Sequence, residues 1–395
     1  MGNVKPKFDI VFAMAGDVHR NARALRQLSA MAASGHSVAV LSLPRGDVIS
    51  RLPERVTHIP VEVPAGRGPL YFLRLQRAFA GALLALMGSL YHASDLYVLS
   101  ACAGAAKRAG VPYSYDSREL YTHVAATVGK PYARAFWRAI ERRHIRKASQ
   151  VWTVSDSIAD YLRKAYSIPR PSVQFNAPAT AKVTPNSLLR DRLGLPPETA
   201  ILLHMGQLRR DRGADNLIDA VSGWPESAPD ARLVFLGYGP ERERLQARVL
   251  KERLENRVLF LDAIPPSELV SAAAEANVGI TLLEPTCLNH RFALPNKLFD
   301  YLAASLPVVA SDLPECANLV DKFCCGLTVN PADTKALTEA LTRAAQNNSE
   351  TKTWKRNAKA AADILDWQAA SPLFTDQVAS LLRAHGQASD STSGL

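Results

Sequence analysis

The sequence is poor in the residues that announce metal or redox chemistry. Five cysteines occur in 395 residues; Cys102, Cys287, Cys316, Cys324 and Cys325 show no metal-ligand spacing, and an adjacent pair such as Cys324 and Cys325 is not a usual disulfide framework. A reducing cytoplasm is the expected setting. No Asp-x-Asp triplet stands at a strand end, so neither a metal nor another cofactor is required. Long apolar runs are also missing: the uncharged stretch 78–91 has 14 residues, short of the ~20 that a membrane-spanning helix needs. The N-terminal MGNVKPKFDI leads straight into a strand pattern without a signal-peptide core, and the protein is expected to stay inside the cell. Gly237 and Gly239 (GYGP) lack the third glycine of a dinucleotide fingerprint and precede Pro240, which argues against NAD.

What is abundant is positive charge, in one half. Residues 1–180 carry 24 Lys and Arg against 11 Asp and Glu, whereas the remainder carries 23 against 26. Such asymmetry points to an anionic partner for the first half, namely a membrane surface, a phosphorylated acceptor or nucleic acid, or else to a merely soluble basic surface.

The pattern along the chain alternates strand and helix, which at this length predicts two α/β domains. Residues 8–14 read as a buried strand, 21–33 as a helix and 37–43 as the next strand. Gly16 and Asp17 between them are candidates for a cleft wall on the acceptor side, or a simple tight turn. Residues 70–91 read as a helix with Arg74 and Arg77 near its start, packed in the core or lying in a membrane interface. Pro131 opens a helix in which Arg134, Arg138, Arg142 and Arg146 form a ridge, either solvated or attracted to anionic lipid. Between these helices a β-prone run, 111–115, ends at Asp116, and Arg118, Glu119 and His123 follow where a strand-end loop would meet a ligand. After a strand and helix over 151–162, residues 176–184 form the best linker candidate. The second half restarts with strands over 200–206, 231–237 and 258–262. A helical segment over 352–383 has Trp354, Trp367 and Phe374 as anchors and Pro372 as a kink, before a tail, 386–395, whose composition reads as disordered.

Residues 280–312 carry the densest signal. An apolar run ends at Glu284, a loop containing Asn289 and His290 follows, Pro295 opens a helix, and a second apolar run begins at Val308. In a parallel α/β unit such a helix start faces the ligand with unpaired N–H groups, and Asn296 and Lys297 occupy its first turn.

PNKLFDYLAASLPVVAS (295–311) resembles the donor-site segment of family 4, or "group 1", retaining nucleotide-sugar glycosyltransferases of the GT-B fold. GQLRRDRGADNLIDAV (206–221), LVFLGYGPERERL (233–245) and YDSRELYTH (115–123) are similar to further family segments in the same order, so the resemblance spans most of residues 8–365. It implies an α/β protein with two Rossmann-like domains facing across a cleft. Residues 1–178 would form the acceptor or membrane side and 179–365 the nucleotide-sugar side, with 366–385 a helix crossing back, its tryptophans packing between domains. It also implies a retaining transfer to a lipid-linked or polysaccharide precursor, an enzyme peripheral to the inner membrane face, and no nucleic acid partner.

By the same resemblance Arg212 and Lys297 would stabilise the departing diphosphate, Gly206, Arg209, Glu284, Asn289, Pro295 and Asn296 would line the donor site, and Asp300 would hold the ribose. The chain departs from the family pattern at several positions. Gln207 replaces a cation that Arg209 or Arg210 could supply, Phe292 replaces a glutamate, and Arg118 replaces a histidine. Arginine stays protonated at any working pH, which leaves Glu119 or His123 to handle an acceptor proton. A nucleotide-sugar 2-epimerase of the same fold and a non-catalytic nucleotide-sugar-binding protein are the alternative readings.

Overall fold

The computed structural model describes residues 7–44, 51–66, 68–179 and 183–392, with only the backbone path over 386–392. Residues 180–182 of the expected linker and residues 393–395 of the expected tail lie outside these. The chain divides into two compact units, one made of residues 1–176 with 370–395 and the other of residues 177–369.

The first unit is a seven-stranded parallel sheet. Its strands are β1 (Phe8–Ala13), β2 (Val38–Ser42), β3 (Val56–Pro60), β4 (Gly88–Ala93), β5 (Tyr113–Ser117), β6 (Gln150–Thr153) and β7 (Ser172–Val173), in the order β3-β2-β1-β4-β5-β6-β7. Helices α1 (Ala22–Ala33), α2 (Gly68–Leu84), α3 (Leu96–Ala109), α4 (Pro131–Ile145) and α5 (Asp156–Tyr166) connect them. Side-chain caps start three of these helices, from Asn21, Asp95 and Ser155, each accepting from a first-turn N–H.

Two expectations for this unit need correction. The helix expected over 70–91 stops at Leu84, and Leu90 and Tyr91 belong to β4, which pairs with β1 in the sheet centre. A short apolar run satisfies either a helix face or a buried strand. Gly88 decides for the strand, since a Cβ there would stand 2.5 Å from Val11 Cγ2. The β-prone run at 111–115 likewise continues to Ser117, so Asp116 is a strand residue, fully buried, and not a loop residue.

The second unit holds a six-stranded parallel sheet in the order β10-β9-β8-β11-β12-β13. The strands are β8 (Ala200–Met205), β9 (Ala231–Leu236), β10 (Val258–Leu261), β11 (Val278–Thr281), β12 (Val308–Ser311) and β13 (Gly326–Val329). Its helices are α6 (Leu188–Leu193), α7 (Ala214–Ser222), α8 (Arg242–Lys251), α9 (Leu269–Ala273), α10 (Leu288–Arg291), α11 (Asn296–Ala303), α12 (Pro314–Phe323), α13 (Thr334–Ala345) and α14 (Ser349–Leu365). Trp354 on α14 is buried in this unit's own core beside Leu337 and Leu341, with the Arg343 guanidinium 5.5 Å from its ring, so it is not an interdomain anchor.

A last helix, α15 (Trp367–Thr392), carries Pro372 within it; Phe374 and Val378 enter the first unit's core, and Trp152 Nε1 donates to Gln377 Oε1 at 2.6 Å. Its backbone stays helical through 386–392, which composition reads as disordered. The preceding ordered turns supply a nucleus from which each further residue adds a hydrogen bond cheaply.

Glu141 on α4 is fully buried with no cation beside it, accepting from Tyr115 Oη at 2.8 Å and Tyr166 Oη at 2.6 Å. Burial pushes its carboxyl up from 4.5 to about 6, the two phenols offsetting part of that. A folded-state value above the unfolded one means that protonation favours the native state. The contribution is fully present below pH 4.5 and is lost as the pH rises through about 6. Wild type should therefore gain about 2 kcal/mol relative to Glu141→Gln between pH 8 and pH 4.5, read as the pH dependence of the difference in their unfolding midpoints. A difference that stays flat with pH would refute this.

Candidate functional site

In a doubly wound sheet the strand order reverses at one place, and the loops leaving the two adjacent strands diverge there to leave a crevice. In the second unit that place lies between β8 and β11, which keep only two paired positions, Val278 with Leu202 and Gly279 with Leu203. One side chain fills the divergence. Tyr301 of α11 accepts from Met205 N at 2.9 Å and presents its hydroxyl to Leu203 O and Ile280 O, both at 3.1 Å. Gly279 lies against its ring, where a Cβ would stand 2.3 Å from Cγ.

This anchor sets the direction of α11. Lys297, one turn before Tyr301 on the same face, reaches over the end of β8 to His204, with 3.1 Å between Nζ and Nε2. Lys297 is half-buried, but its amine end is enclosed. Burial, with Arg212 adding repulsion, pushes it down to about 7. His204 is fully buried edge-on to Phe235, and burial, Lys297 and Arg212 hold it well below the ordinary histidine range. The N-terminus of α11 has Pro295 at its cap position, and no side chain caps it.

The β8 loop brings the other expected residues. Gly206 has φ +105°, and a Cβ there would meet nothing within 4 Å, so the strand end opens onto free space. A Cβ at Gly237 would stand 2.0 Å from Gly206 O and one at Gly239 2.2 Å from Leu208 O. GYGP is therefore a backbone support for the β8 loop. Asp211 stands 3.8 Å from Arg209 Nε and 3.9 Å from Arg212 Nε, while Arg210, mostly exposed, pairs with Glu241 at 3.3 Å.

The β11 loop is tied to the β8 loop. His290 Nε2 lies 3.3 Å from Asp211 Oδ2, His290 Nδ1 contacts Thr286 Oγ1 at 2.9 Å and Glu284 O at 3.1 Å, and Glu284 N donates to Asp211 O at 3.1 Å. Burial, then Asp211 and Asp215, raises the Glu284 carboxyl. Gly206, Arg209, Arg212, Glu284, Asn289, Pro295, Asn296, Lys297 and Asp300 thus lie on two loops and one helix start around a single switch point. His290, a polar residue of the same segment, is buried and holds the loops together.

The sequence reading missed His204 and Asp211. The signal for His204 was a lone polar residue in the apolar run ILLHM, on the same strand face as Gly206 two positions on.

The first unit has its own switch point, between β1 and β4. Asp95, buried after β4, caps α3 and accepts from Ala15 N at 2.7 Å, fixing the loop that carries Gly16 and Asp17. Asp17 itself caps a short 3-10 turn by accepting from His19 N at 2.9 Å. Arg118 Nη2 stands 3.8 Å from Asp95 Oδ2, and its Nε donates to Tyr121 Oη at 3.0 Å. Asp116 accepts from Arg23 at 2.7 and 2.8 Å and from Gln27 at 2.9 Å. His123 contacts Thr122 Oγ1 at 2.9 Å and Tyr161 Oη at 3.4 Å; burial, then Arg134 and Arg138, lower it. Glu119 is exposed.

Two doubly wound parallel sheets, each with its loops gathered at a switch point, define the GT-B class of protein. The structure superposes on sucrose-phosphate synthase from Thermosynechococcus elongatus with a TM-score of 0.78 at 19% identity, covering 95% of this chain and 99% of that one. It superposes on Anabaena HepE in complex with UDP-glucose with a TM-score of 0.75 at 18% identity, covering 95% and 100%. A family model described as glycosyl transferases group 1 matches residues 186–361, and one described as a glycosyl transferase 4-like domain matches residues 21–179. The chain belongs to the group 1 glycosyltransferases. It is also similar to 2-deoxystreptamine glucosyltransferase of Streptomyces kanamyceticus, at 24% identity over 259 residues, which is 63% of this chain and 65% of that relative's length.

Tyr301→Phe removes one oxygen and leaves Met205 N, Leu203 O and Ile280 O short of a partner at a buried strand junction. It should cost about 1–3 kcal/mol, lowering the unfolding midpoint of the second unit by several degrees. A midpoint shift under one degree would show that the hydroxyl is not what joins the strands.

Proposed function

We propose that this protein transfers a sugar from a nucleotide-sugar donor bound at the β8/β11 switch point, with retention of anomeric configuration. The acceptor would be a lipid-linked or polysaccharide precursor at the cytoplasmic membrane face. The observation that carries the reading is the meeting of an uncapped helix start, an open strand end at Gly206 and two basic side chains, Arg212 and Lys297, at one point. A diphosphate is the ligand such a set suits. That HepE is described in complex with UDP-glucose favours a uridine nucleotide.

In this mechanism the donor diphosphate lies across Gly206 and the first turn of α11, and Asp300 accepts from the ribose hydroxyls. Charge gathers on the phosphate as the glycosidic bond breaks, and Arg212, Lys297 and the α11 amides neutralise it in place, without a metal. Arg118, bound to Asp95 and Tyr121, contributes charge and rigidity, since it cannot act as a base. Exposed Glu119 suits the acceptor proton better than His123, whose ring nitrogens are both engaged.

The membrane part of the proposal rests on α2 and α4. Leu70 and Leu73 on α2 and Tyr132 and Phe136 on α4 are exposed, and the two helices meet through Phe72 and Trp137, whose rings lie 5.0 Å apart. Arg134, Arg138, Arg142, Arg143 and Arg146 make no ion pair among the described residues. No helix among the described residues is long and apolar enough to cross a membrane, so contact would be interfacial. In co-sedimentation at low salt the protein should bind anionic vesicles well above neutral ones; equal binding would remove the membrane from the proposal.

A thermal-shift panel of UDP-, GDP- and dTDP-sugars tests the donor site, and stabilisation by none of them would end the reading. Lys297→Ala and Asp300→Ala should then fail differently. The first removes charge stabilisation that grows in the transition state, so turnover should drop by about 100-fold or more. The second removes bonds present throughout, so donor KM should rise by the equivalent of roughly 1.5–3 kcal/mol. If Asp300→Ala leaves KM and turnover within about twofold, Asp300 does not hold the ribose.

A further inference from the structure

The contact between Lys297 and His204 is unusual for a cation. The amine lies 3.1 Å from an imidazole nitrogen and pairs with no carboxylate among the described residues. Of the surrounding groups, Arg212 from the β8 loop acts on it and repels a positive charge. Tyr301 on its own helix is spent on the strands, Asp300 lies one turn along that helix, and β11, β12, α9 and α14, which pack against α11, bring no charge to bear.

The other ring nitrogen, His204 Nδ1, is buried without a hydrogen-bond partner among the described residues. An orphaned buried N–H is rarer and costlier than an orphaned lone pair. The proton of the neutral ring therefore belongs on Nε2, where it points at Lys297 Nζ. A donor there can only be answered by the lone pair of an uncharged amine.

We propose that His204 holds Lys297 as a neutral amine in the empty donor site, and that binding of a nucleoside diphosphate there draws one proton from solvent onto Lys297 Nζ. The proton adds to the amine lone pair, the Nε2–H···Nζ bond opens, and the new ammonium turns to the diphosphate. When the diphosphate departs, the proton returns to solvent. His204 is a positioning residue in this scheme, acting only through the lysine. The burial that pushes Lys297 down to about 7 supports the same picture. The inference rests on the donor-site reading and adds to it a proton that travels with the nucleotide.

Isothermal titration of the full-length protein at pH 8, in buffers of different ionisation enthalpy, measures the proton count directly. The probe is whichever of UDP, GDP and dTDP stabilises the protein most, each being fully ionised at that pH. Wild type should take up half a proton or more per nucleotide (about 0.5–1), and Lys297→Met and Lys297→Arg close to none, the arginine because it is charged beforehand. In His204→Leu the N–H that holds the lone pair is gone while the burial and Arg212 remain, so uptake should fall below the wild-type value by whatever share His204 contributes. A residue that merely fills core space would alter affinity or stability without changing this count. Binding by none of the nucleotides overturns the donor-site reading and this inference together. Binding with no uptake by wild type, or with equal uptake by Lys297→Met, overturns the inference alone, and wild-type uptake in His204→Leu removes His204 from it.

Discussion

The second unit of this protein hangs on a phenol. Where β8 and β11 part, two strands lose each other's hydrogen bonds, and buried backbone groups without partners would cost more than the fold could spare. The Tyr301 hydroxyl answers Met205 N and faces Leu203 O and Ile280 O, replacing a missing rung with a side chain from the helix that follows. The same contact fixes where α11 begins. Because Lys297 shares the helix face with Tyr301, the residue that repairs the sheet also aims the amine at the strand end. Structure and site are one constraint at this point: a shift of α11 along its axis would open the sheet and misdirect the lysine together.

The first unit anchors its strand ends with carboxylates. Asp95 and Asp116, at the ends of neighbouring strands, are both fully buried, and each is held by backbone amides or a guanidinium. Desolvation raises Asp95, with Arg118 and three backbone N–H groups pulling the other way; at Asp116 the close Arg23 pair wins and lowers it. The geometry explains the difference, since Arg23 makes two short bonds to Asp116 whereas Arg118 stays 3.8 Å from Asp95. Arg118 is thus the less committed of the two arginines.

Most of the alternation was legible from sequence because the central strands, β1, β2, β8, β11 and β12, are buried along nearly their whole length and read as almost unbroken apolar runs. Helix α11 was legible for a further reason: Pro295, the polar first turn and the apolar face of Leu298, Tyr301 and Leu302 agree with one another. What sequence misread were places where a long-range partner decides. Leu90 fits a helix face as well as a strand until β1 is alongside it; Asp116 looks like a loop carboxylate until Arg23, far off in sequence, is placed beside it. His290 was visible as a polar residue in a ligand loop, but its use depends on Asp211, which only the fold brings near. His204 was hidden by the rule that usually serves, that a single histidine in an apolar strand is core.

The departure at Gln207 is eased by this arrangement of charges. The family resemblance implies a cation directly after the strand-end glycine, and here an uncharged amide stands there. Arg210 is no substitute, being mostly exposed and paired with Glu241. Arg209 and Arg212 instead flank one carboxylate, Asp211, at nearly equal distances near 4 Å, too long for either to be strongly held. Asp211 is in turn positioned by His290 and by the backbone of Glu284. One negative charge between two arginines leaves the loop net positive. Such a pair gives up little in turning from a distant carboxylate to a diphosphate, which offers more charge and more oxygens. The loop therefore keeps its cations oriented but weakly engaged when empty, a condition under which phosphate contacts form with little reorganisation.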